Sequence, residues 1–214
     1  MKEHRVVTAY RKYAENYDSA VKLYRLLGLD IDKFRKMAVD ALELSKGDTV
    51  VELGCGTGLN FSRVIEVIGK EGKLIGVDIT DKMLDQARNK VNQNGWKNIE
   101  LIHSDFADYQ FPKELDGIFA TGALQYSPHF DKIIKNGYDA LKPRKKFVLV
   151  DGKMSQGLAK IFAPILLNFT KPFGADKEYL KRQAWKSIEK YFENSTFQEG
   201  WGGFLYLSVG TKPS

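Results

Sequence analysis

Several features are scarce or absent in this 214-residue sequence, and each absence excludes a class of protein. Cys55 is the only cysteine, which excludes an intrachain disulfide and a thiolate zinc cluster, and we predict no metal site. No apolar run approaches the roughly 18 residues that a membrane-spanning helix needs. The charged first residues precede no apolar segment, so we expect no secretory signal and a cytoplasmic location.

The bulk composition is that of one globular domain. Hydrophobic residues make up 43% of the chain and charged residues 28%, which excludes a disordered protein. The net charge of +6 permits an anionic partner, although a solvated surface explains it equally well. We expect no nucleic-acid partner, because the chain has no appended RNA-binding module and its basic residues do not alternate with aromatic ones. The composition leaves the oligomeric state open.

The order of hydrophobic patterns predicts an α/β fold. Residues 8–44 follow a helical period, and short apolar runs then alternate with helical segments. The predicted strands cover residues 49–53, 73–77, 99–102, 115–120 and 146–150. This alternation forms βαβ units, so we predict a doubly wound, Rossmann-like and mostly parallel sheet. A helical segment is predicted at 156–192. The apolar run at 204–209, which follows a glycine-rich turn, predicts a closing hairpin with an antiparallel strand.

A glycine-rich loop after the first strand gives the strongest indication of function. It reads Glu52-Leu53-Gly54-Cys55-Gly56-Thr57-Gly58. Gly54 and Gly56 allow a tight turn and a close approach to a ligand in the crevice of the sheet. The spacing G-x-G-x-G differs from the dinucleotide pattern G-x-G-x-x-G, and a cationic ligand would stabilise Glu52 at the end of a buried strand. We therefore favour S-adenosylmethionine over NAD(P), the alternative for Glu52 being a pair with Lys or Arg or a helix cap.

Acidic residues at the ends of the next two strands extend the predicted cofactor site. Asp78 lies about 20 residues beyond the loop, where an acid accepts hydrogen bonds from ribose hydroxyls. Asp105 is predicted to accept a hydrogen bond from the adenine amino group, unless it forms a helix cap or Asx turn. The remaining predicted cofactor contacts are Cys55, Ile79, Met83, Phe106 and Thr121. Ile79 and Met83 are equally compatible with ordinary core positions.

Together with three further motifs, the glycine loop resembles the motifs of class I S-adenosylmethionine-dependent methyltransferases. The other motifs are Gly76-Val77-Asp78, Ser104-Asp105-Phe106 and Asp116-Gly117-Ile118-Phe119. The resemblance covers residues 10–151 and is strongest to the branch of ubiquinone/menaquinone C-methyltransferases and bacterial phospholipid N-methyltransferases. It implies a seven-stranded sheet with a reversed last strand and S-adenosylhomocysteine as product. It also implies that Glu52, Gly54 and Gly56 contact the methionine part, Asp78 the ribose and Asp105 the adenine.

The resemblance also implies a division of the chain. We expect an N-terminal helical lid at 1–46, a cofactor-binding core at 47–151, a helical substrate-side insertion at 152–193 and the hairpin at 194–214. Tyr17 and Asp18 match a Tyr-Asp pair of such lids, so Tyr17 is a predicted cofactor or substrate contact, with simple packing as the alternative. The Asn-x-x-x-Ser-x-Gly-x-His-Arg-x-Trp pattern of quinone methylases is missing between Asp18 and Arg35, which favours another acceptor.

The predicted acceptor rests on two segments. Tyr126 and His129 follow the fourth strand and are the predicted catalytic residues, although His129 is equally placed to start a helix after Pro128. Segment 158–169 is very apolar, and basic residues follow it, as in an interfacial anchor. We therefore favour a phospholipid amine such as phosphatidylethanolamine, and the segment is also compatible with peripheral contact with anionic membranes. The alternatives are a quinone or other small metabolite as acceptor, and a core-packed lid for the segment.

Overall fold

The computed structural model describes residues 2–19, 21, 30–154 and 177–214 of the chain. The strands are β1 (Thr49–Leu53), β2 (Lys73–Asp78), β3 (Ile99–His103), β4 (Leu115–Thr121), β5 (Leu141–Gly152), β6 (Asn194–Gly200) and β7 (Leu205–Thr211). The α-helices are α1 (Lys2–Tyr13), α2 (Ile31–Ala41), α3 (Phe61–Ile68), α4 (Asp81–Asn94), α5 (Phe130–Ala140), α6 (Lys177–Lys181) and α7 (Ala184–Tyr191).

The strands form one seven-stranded sheet in the order β3-β2-β1-β4-β5-β7-β6. The first five strands pair in parallel, whereas β7 runs antiparallel to both β5 and β6. The order reverses between β1 and β4, and ligands of such sheets bind at this switch point, beyond the carboxyl ends of the strands. The predicted doubly wound, mostly parallel fold with a closing hairpin is confirmed.

Two apolar layers hold the helices against the sheet. On one face, residues of β1 such as Val51 and Leu53 pack with Ile133 of α5 and Ile188 of α7. On the other face, the neighbouring Val50 packs with residues of α2, α3 and α4. Successive strand residues point to opposite faces, so both sides of the central strands are buried and the strands read as continuous apolar runs.

The fifth strand begins earlier than predicted. The strand was expected to start at Lys146, but β5 starts at Leu141, which pairs with Leu115. The register then shifts before Gly117 pairs with Lys146. Proline has no N–H to donate to a ladder, so Pro143 fits within this irregular stretch.

The N-terminal region and the insertion differ in detail from the predicted helices. Helix α1 ends at Tyr13 and continues as a 3-10 turn at Ala14–Asn16. Asp30 caps α2 by accepting a hydrogen bond from the Lys33 N–H at 3.0 Å. Segment 158–169, the proposed membrane contact, lies outside the described residues. None of the described helices is long and apolar enough to cross a membrane.

Candidate functional site

A cavity of about 600 Å³ opens at the carboxyl ends of the central strands. The glycine loop after β1, the ends of β2 and β4, and the N-terminal helices supply its walls. The predicted site residues that line it are Tyr17, Gly54, Cys55, Gly56, Asp78, Ile79, Met83, Phe106, Thr121 and Tyr126. The structure therefore brings together most of the side chains that were predicted from separate motifs.

The glycine loop and Asp78 form one wall of this cavity. Gly54 has φ of +73°, and a Cβ at this position would lie 2.1 Å from the Cβ of Ala123, so only glycine fits there. The Gly56 N–H donates to Oδ2 of Asp78 at 2.9 Å, and the Thr80 N–H donates to Oδ1 at 2.8 Å. Burial raises the pKa of Asp78, while these two N–H groups oppose the shift. The carboxylate is thus held in a fixed position at the end of β2.

Glu52 is buried beneath the loop and only partly paired. The side-chain amide of Asn60 donates to Oε1 of Glu52 at 2.6 Å and lies 3.2 Å from the hydroxyl of Thr121. Within the described part of the chain, Oε2 of Glu52 and Oδ1 of Asn60 are buried without a hydrogen-bond partner. Burial raises the pKa of Glu52 to about 8. Two neighbouring buried acceptors without a donor indicate a ligand that brings N–H groups.

Arg35 is a cavity residue that the sequence patterns did not predict. It lies on α2, is 8% exposed, lines the cavity, and its Nε has no hydrogen-bond partner within the described residues. Its charge also favours the ionised form of Glu52. The available signal was its spacing, because Arg35 continues the buried stripe of Ala38, Val39 and Leu42 at i, i+3, i+4 and i+7. A buried guanidinium on an apolar stripe needs an anionic partner.

The residues predicted to contact adenine lie in two adjoining cavities. Ile79, Met83 and Phe106 line the main cavity. Asp105 instead lines an adjoining cavity of about 340 Å³, and its Oδ1 accepts a hydrogen bond from the Ala107 N–H at 2.7 Å. This bond is the Asx turn that the sequence left open as the alternative. The predicted contact of Asp105 with adenine stays a prediction.

Three tyrosine rings meet at the cavity. Tyr10 and Tyr17 come from the N-terminal helices, and Tyr126 comes from the turn after β4. The Tyr10 centroid lies 5.9 Å from that of Tyr17 and 6.1 Å from that of Tyr126. Burial raises the pKa of Tyr10 and of Tyr126 well above the usual value. His129 lies at the exposed start of α5, outside the residues that line the cavity, so only Tyr126 of the two predicted catalytic residues faces it.

Polar contacts fasten the N-terminal segment over the cavity. Asp18 accepts a hydrogen bond from the hydroxyl of Thr57 at 2.6 Å and pairs with Lys90 at 3.0 Å. Arg11 forms a two-point ion pair with Asp81, at 2.7 and 3.2 Å. Thr57 belongs to the glycine loop, so the lid and the loop are joined directly.

Comparison with protein families finds one match that covers most of the chain. The model of the family described as "Methyltransferase domain" matches residues 44–199. A demethylmenaquinone methyltransferase of Listeria welshimeri is 28% identical over 152 residues, 70% of this chain. That alignment spans 63% of the Listeria protein, less than two thirds of its length. A demethylmenaquinone methyltransferase of Anoxybacillus flavithermus is 25% identical over 203 residues, 92% of this chain and 80% of that protein.

Solved structures show the same fold at low sequence identity. A SAM-dependent methyltransferase from Aquifex aeolicus superposes with a TM-score of 0.64 and 18% identity, covering 96% of this chain and 97% of that one. A Haemonchus contortus phospholethanolamine N-methyltransferase 2, in complex with phosphomonomethylethanolamine and S-adenosylhomocysteine, superposes with a TM-score of 0.67 and 16% identity. It covers 85% of this chain and 53% of that one.

Proposed function

Because this chain belongs to the methyltransferase domain family, in the class I group that uses S-adenosylmethionine, we propose that it methylates the nitrogen of a small amphipathic amine. The leading candidate is a phospholipid amine of the phosphatidylethanolamine type. The argument has two parts, the fit of the cofactor to the buried polar groups and the chemistry of the tyrosine wall.

The site fits S-adenosylmethionine because unpaired polar atoms on Arg35, which lines the cavity, and on the buried residues Glu52 and Asn60, which are not among its lining residues, match the two charges of an α-amino acid. The free acceptors on Glu52 and Asn60 suit the ammonium group, and the free Nε of Arg35 suits the carboxylate. Asp78 is held by Gly56 and Thr80 where the ribose hydroxyls are expected. A phosphate-bearing dinucleotide has no ammonium for the Glu52 pair, which is why we place the NAD(P) alternative last.

The acceptor proposal rests on one observation: among the described residues that line the cavity, none is suited to act as a base. The titratable lining residues are Tyr10, Tyr17, Arg35, Cys55, Asp78 and Tyr126. Burial raises the pKa of Cys55, Tyr10 and Tyr126, which keeps them protonated at neutral pH. Both oxygens of Asp78 are engaged with backbone N–H groups. A neutral amine needs no base in the transition state, whereas a carbon or phenolic acceptor does.

The residues would then act mainly by position. When bound, S-adenosylmethionine supplies an electrophilic methyl group on a sulfonium. The Glu52 and Arg35 groups would orient its amino-acid end, and the tyrosine wall would hold the amine in line with the methyl group and exclude water. The nitrogen lone pair forms the N–C bond as the S–C bond breaks. The positive charge thus moves to nitrogen, and its proton leaves to water.

A demethylmenaquinone-type quinol is the second candidate. The relatives from Listeria and Anoxybacillus are named demethylmenaquinone methyltransferases, and this favours a quinol acceptor. The histidine-arginine-tryptophan pattern of quinone methylases is nevertheless missing from this sequence. The ligand in the Haemonchus structure, in contrast, is an amine. Both acceptors are amphipathic, so the two candidates make different predictions only about the atom that receives the methyl group.

The test is methyl transfer from labelled S-adenosylmethionine to vesicles of defined composition. We expect label in the head group when phosphatidylethanolamine is present and none with phosphatidylglycerol alone, with the product identified by mass spectrometry. The Gly54→Ala variant is the matched control, because its extra methyl group collides with Ala123. Label that enters only added demethylmenaquinol would reject the amine and establish the second candidate.

Peripheral contact with an anionic membrane is part of the same proposal. The net charge of +6 supports it, as does the basic character that follows segment 158–169 in the sequence. Co-sedimentation with phosphatidylglycerol vesicles should be strong at low salt and weaken at high salt. Membrane contact would be ruled out if the protein did not co-sediment with the vesicles at low salt and methylated its acceptor only when the acceptor was dispersed in detergent.

A further inference from the structure

The three cavity tyrosines form a corner with a defined shape. The planes of Tyr10 and Tyr126 meet at 90°, and the Tyr17 plane is tilted by 52° to that of Tyr10. Two perpendicular rings and a third tilted one make adjacent walls of a box. All three residues line the cavity, so this corner borders the space that a ligand would occupy.

The wall formed by Tyr126 is supported from behind. The Tyr179 ring stacks on it with centroids 4.5 Å apart and an interplanar angle of 30°. The Tyr179 hydroxyl in turn donates a hydrogen bond to the buried carboxylate of Asp151. Arg182 donates to the backbone carbonyl of Tyr126 at 2.8 Å and holds the turn that carries it. The ring of Tyr126 is therefore fixed before any ligand arrives.

The corner itself is formed by aromatic rings, and the charge of the nearby Asp78 carboxylate acts on Tyr10. Asp78 is the only carboxylate among the described residues that line the cavity, and it lies at the end of β2. Aromatic faces carry negative charge density and bind quaternary ammonium groups, which have no N–H to donate. A carboxylate site loses one N–H···O contact with each added methyl group, but an aromatic box does not.

We propose that Tyr10, Tyr17 and Tyr126 form a binding site for the amine head group of the acceptor and for the ammonium that methyl transfer produces from it. This inference rests on the proposed function, since the site receives a head-group nitrogen only if the acceptor is an amine. The ring faces would also stabilise the positive charge that moves from sulfur to nitrogen in the transition state. The site would tolerate tertiary and quaternary products, so that successive methylations are open to the enzyme.

The test compares two probes of equal shape and different charge on the full chain saturated with S-adenosylhomocysteine. Choline carries a quaternary ammonium, and 3,3-dimethylbutan-1-ol replaces its nitrogen with carbon. We expect choline to bind about 10-fold more tightly than the alcohol, because the ring faces favour the charge. Equal affinity of the two probes for the wild-type protein would overturn the proposal, whatever the variants do.

Two substitutions at Tyr126 separate the ring from its hydroxyl. Tyr126→Phe keeps the aromatic face and should retain choline affinity within about 3-fold, whereas Tyr126→Leu should lose most of the preference for choline. Unchanged affinity for S-adenosylhomocysteine reports that the cofactor pocket is intact. A Tyr126→Leu protein that still prefers choline as strongly as Tyr126→Phe would also contradict the inference.

The outcome is distinguishable from failure of the proposed function. If the protein methylates phosphatidylethanolamine but does not prefer choline, the proposed function is supported and the ammonium-binding role of the tyrosines is rejected. If the protein prefers choline but methylates only demethylmenaquinol, the proposed function is rejected and the tyrosines remain a binding site for ammonium groups. If the rings instead serve the sulfonium, Tyr126→Leu will weaken S-adenosylmethionine but not S-adenosylhomocysteine, and the choline preference will be absent.

Discussion

Cofactor binding should release a proton, and the proton should come from Glu52. In the ligand-free protein, burial raises the pKa of this carboxyl to about 8. At pH 7 such a group is about 90% protonated. The ammonium of the bound amino-acid end favours the carboxylate, so its arrival lowers the pKa and expels the proton. Binding should therefore release most of one proton at pH 7 and progressively less as pH rises through 8.

The assay is titration calorimetry at pH 7 in two buffers with different ionisation enthalpies. The difference in apparent enthalpy gives the number of protons released when S-adenosylhomocysteine binds. 5′-Methylthioadenosine has no amino-acid end and should release almost none. The Glu52→Gln variant should also release almost none, because an amide does not titrate. Equal proton release by the wild-type and variant proteins would refute the assignment of the proton to Glu52.

The Glu52 carboxyl should also destabilise the ligand-free fold at neutral pH, although it favours cofactor binding. Its folded pKa lies above the unfolded value of 4.5, so the contribution of Glu52 to the stability of the ligand-free protein is greatest below that pH and declines as pH rises toward 8. At pH 7, Glu52→Gln should raise the free energy of unfolding by about 1–3 kcal/mol. Urea denaturation at pH 5 and pH 7 should show that the gain is larger at pH 7.

Three further substitutions test the remaining parts of the structure. Arg35→Met should weaken S-adenosylhomocysteine about 10- to 100-fold by calorimetry but leave 5′-methylthioadenosine unchanged, because only the former has a carboxylate to pair; equal losses for both ligands would contradict this role. Gly54→Ala should abolish detectable cofactor binding, since its φ of +73° and the 2.1 Å approach to Ala123 leave no room for a methyl group, and tight binding would disprove the packing argument. Asp116→Asn should lower the free energy of unfolding by about 1–3 kcal/mol at pH 7 without changing cofactor affinity. Burial acts to raise the pKa of Asp116, but hydrogen bonds from Lys142, the Thr49 N–H and Lys145 lower it overall. The contribution of Asp116 to stability is therefore present above pH 3.8 and lost in more acidic solution. An Asp116→Asn variant as stable as the wild type in urea at pH 7 would contradict this role of Asp116.

The fold was predictable because its signals are local. Strands such as β1 are buried on both faces and read as apolar runs, and each helix between them carries a one-sided stripe. The predicted start of β5 was wrong because Pro143 is a local signal against a regular strand, whereas the pairing of Leu141 with Leu115 is a contact between residues distant in sequence. The strand order among β5, β6 and β7 likewise depends on tertiary pairing, although the turn at 200–203 indicated the hairpin.

The cofactor site was predictable where the strand ends determine it. Asp78 and the glycine loop follow their strands directly, so their positions follow from the topology. Arg35 was missed because its role depends on how α2 packs over the cavity, which no local pattern specifies. His129 was placed by its distance from β4, but the turn at Leu124–Tyr126 directs Tyr126 inward and leaves His129 at the exposed helix start.

The two ends of the sheet carry opposite kinds of polar group, and this separates stability from function. At the amino ends, Asp116 accepts hydrogen bonds from the Thr49 N–H at 3.0 Å and from Lys142 at 2.8 Å, and Asp48 pairs with Lys145 at 3.1 Å. At the carboxyl ends, Glu52 and Arg35 keep buried atoms without partners within the described chain. Unpaired buried atoms lower the stability of the free protein and are satisfied only when the ligand supplies donors and acceptors. Saturating S-adenosylhomocysteine should therefore raise the melting temperature of the wild type more than that of Glu52→Gln, while Asp116→Asn should show the full wild-type increase from a lower starting temperature.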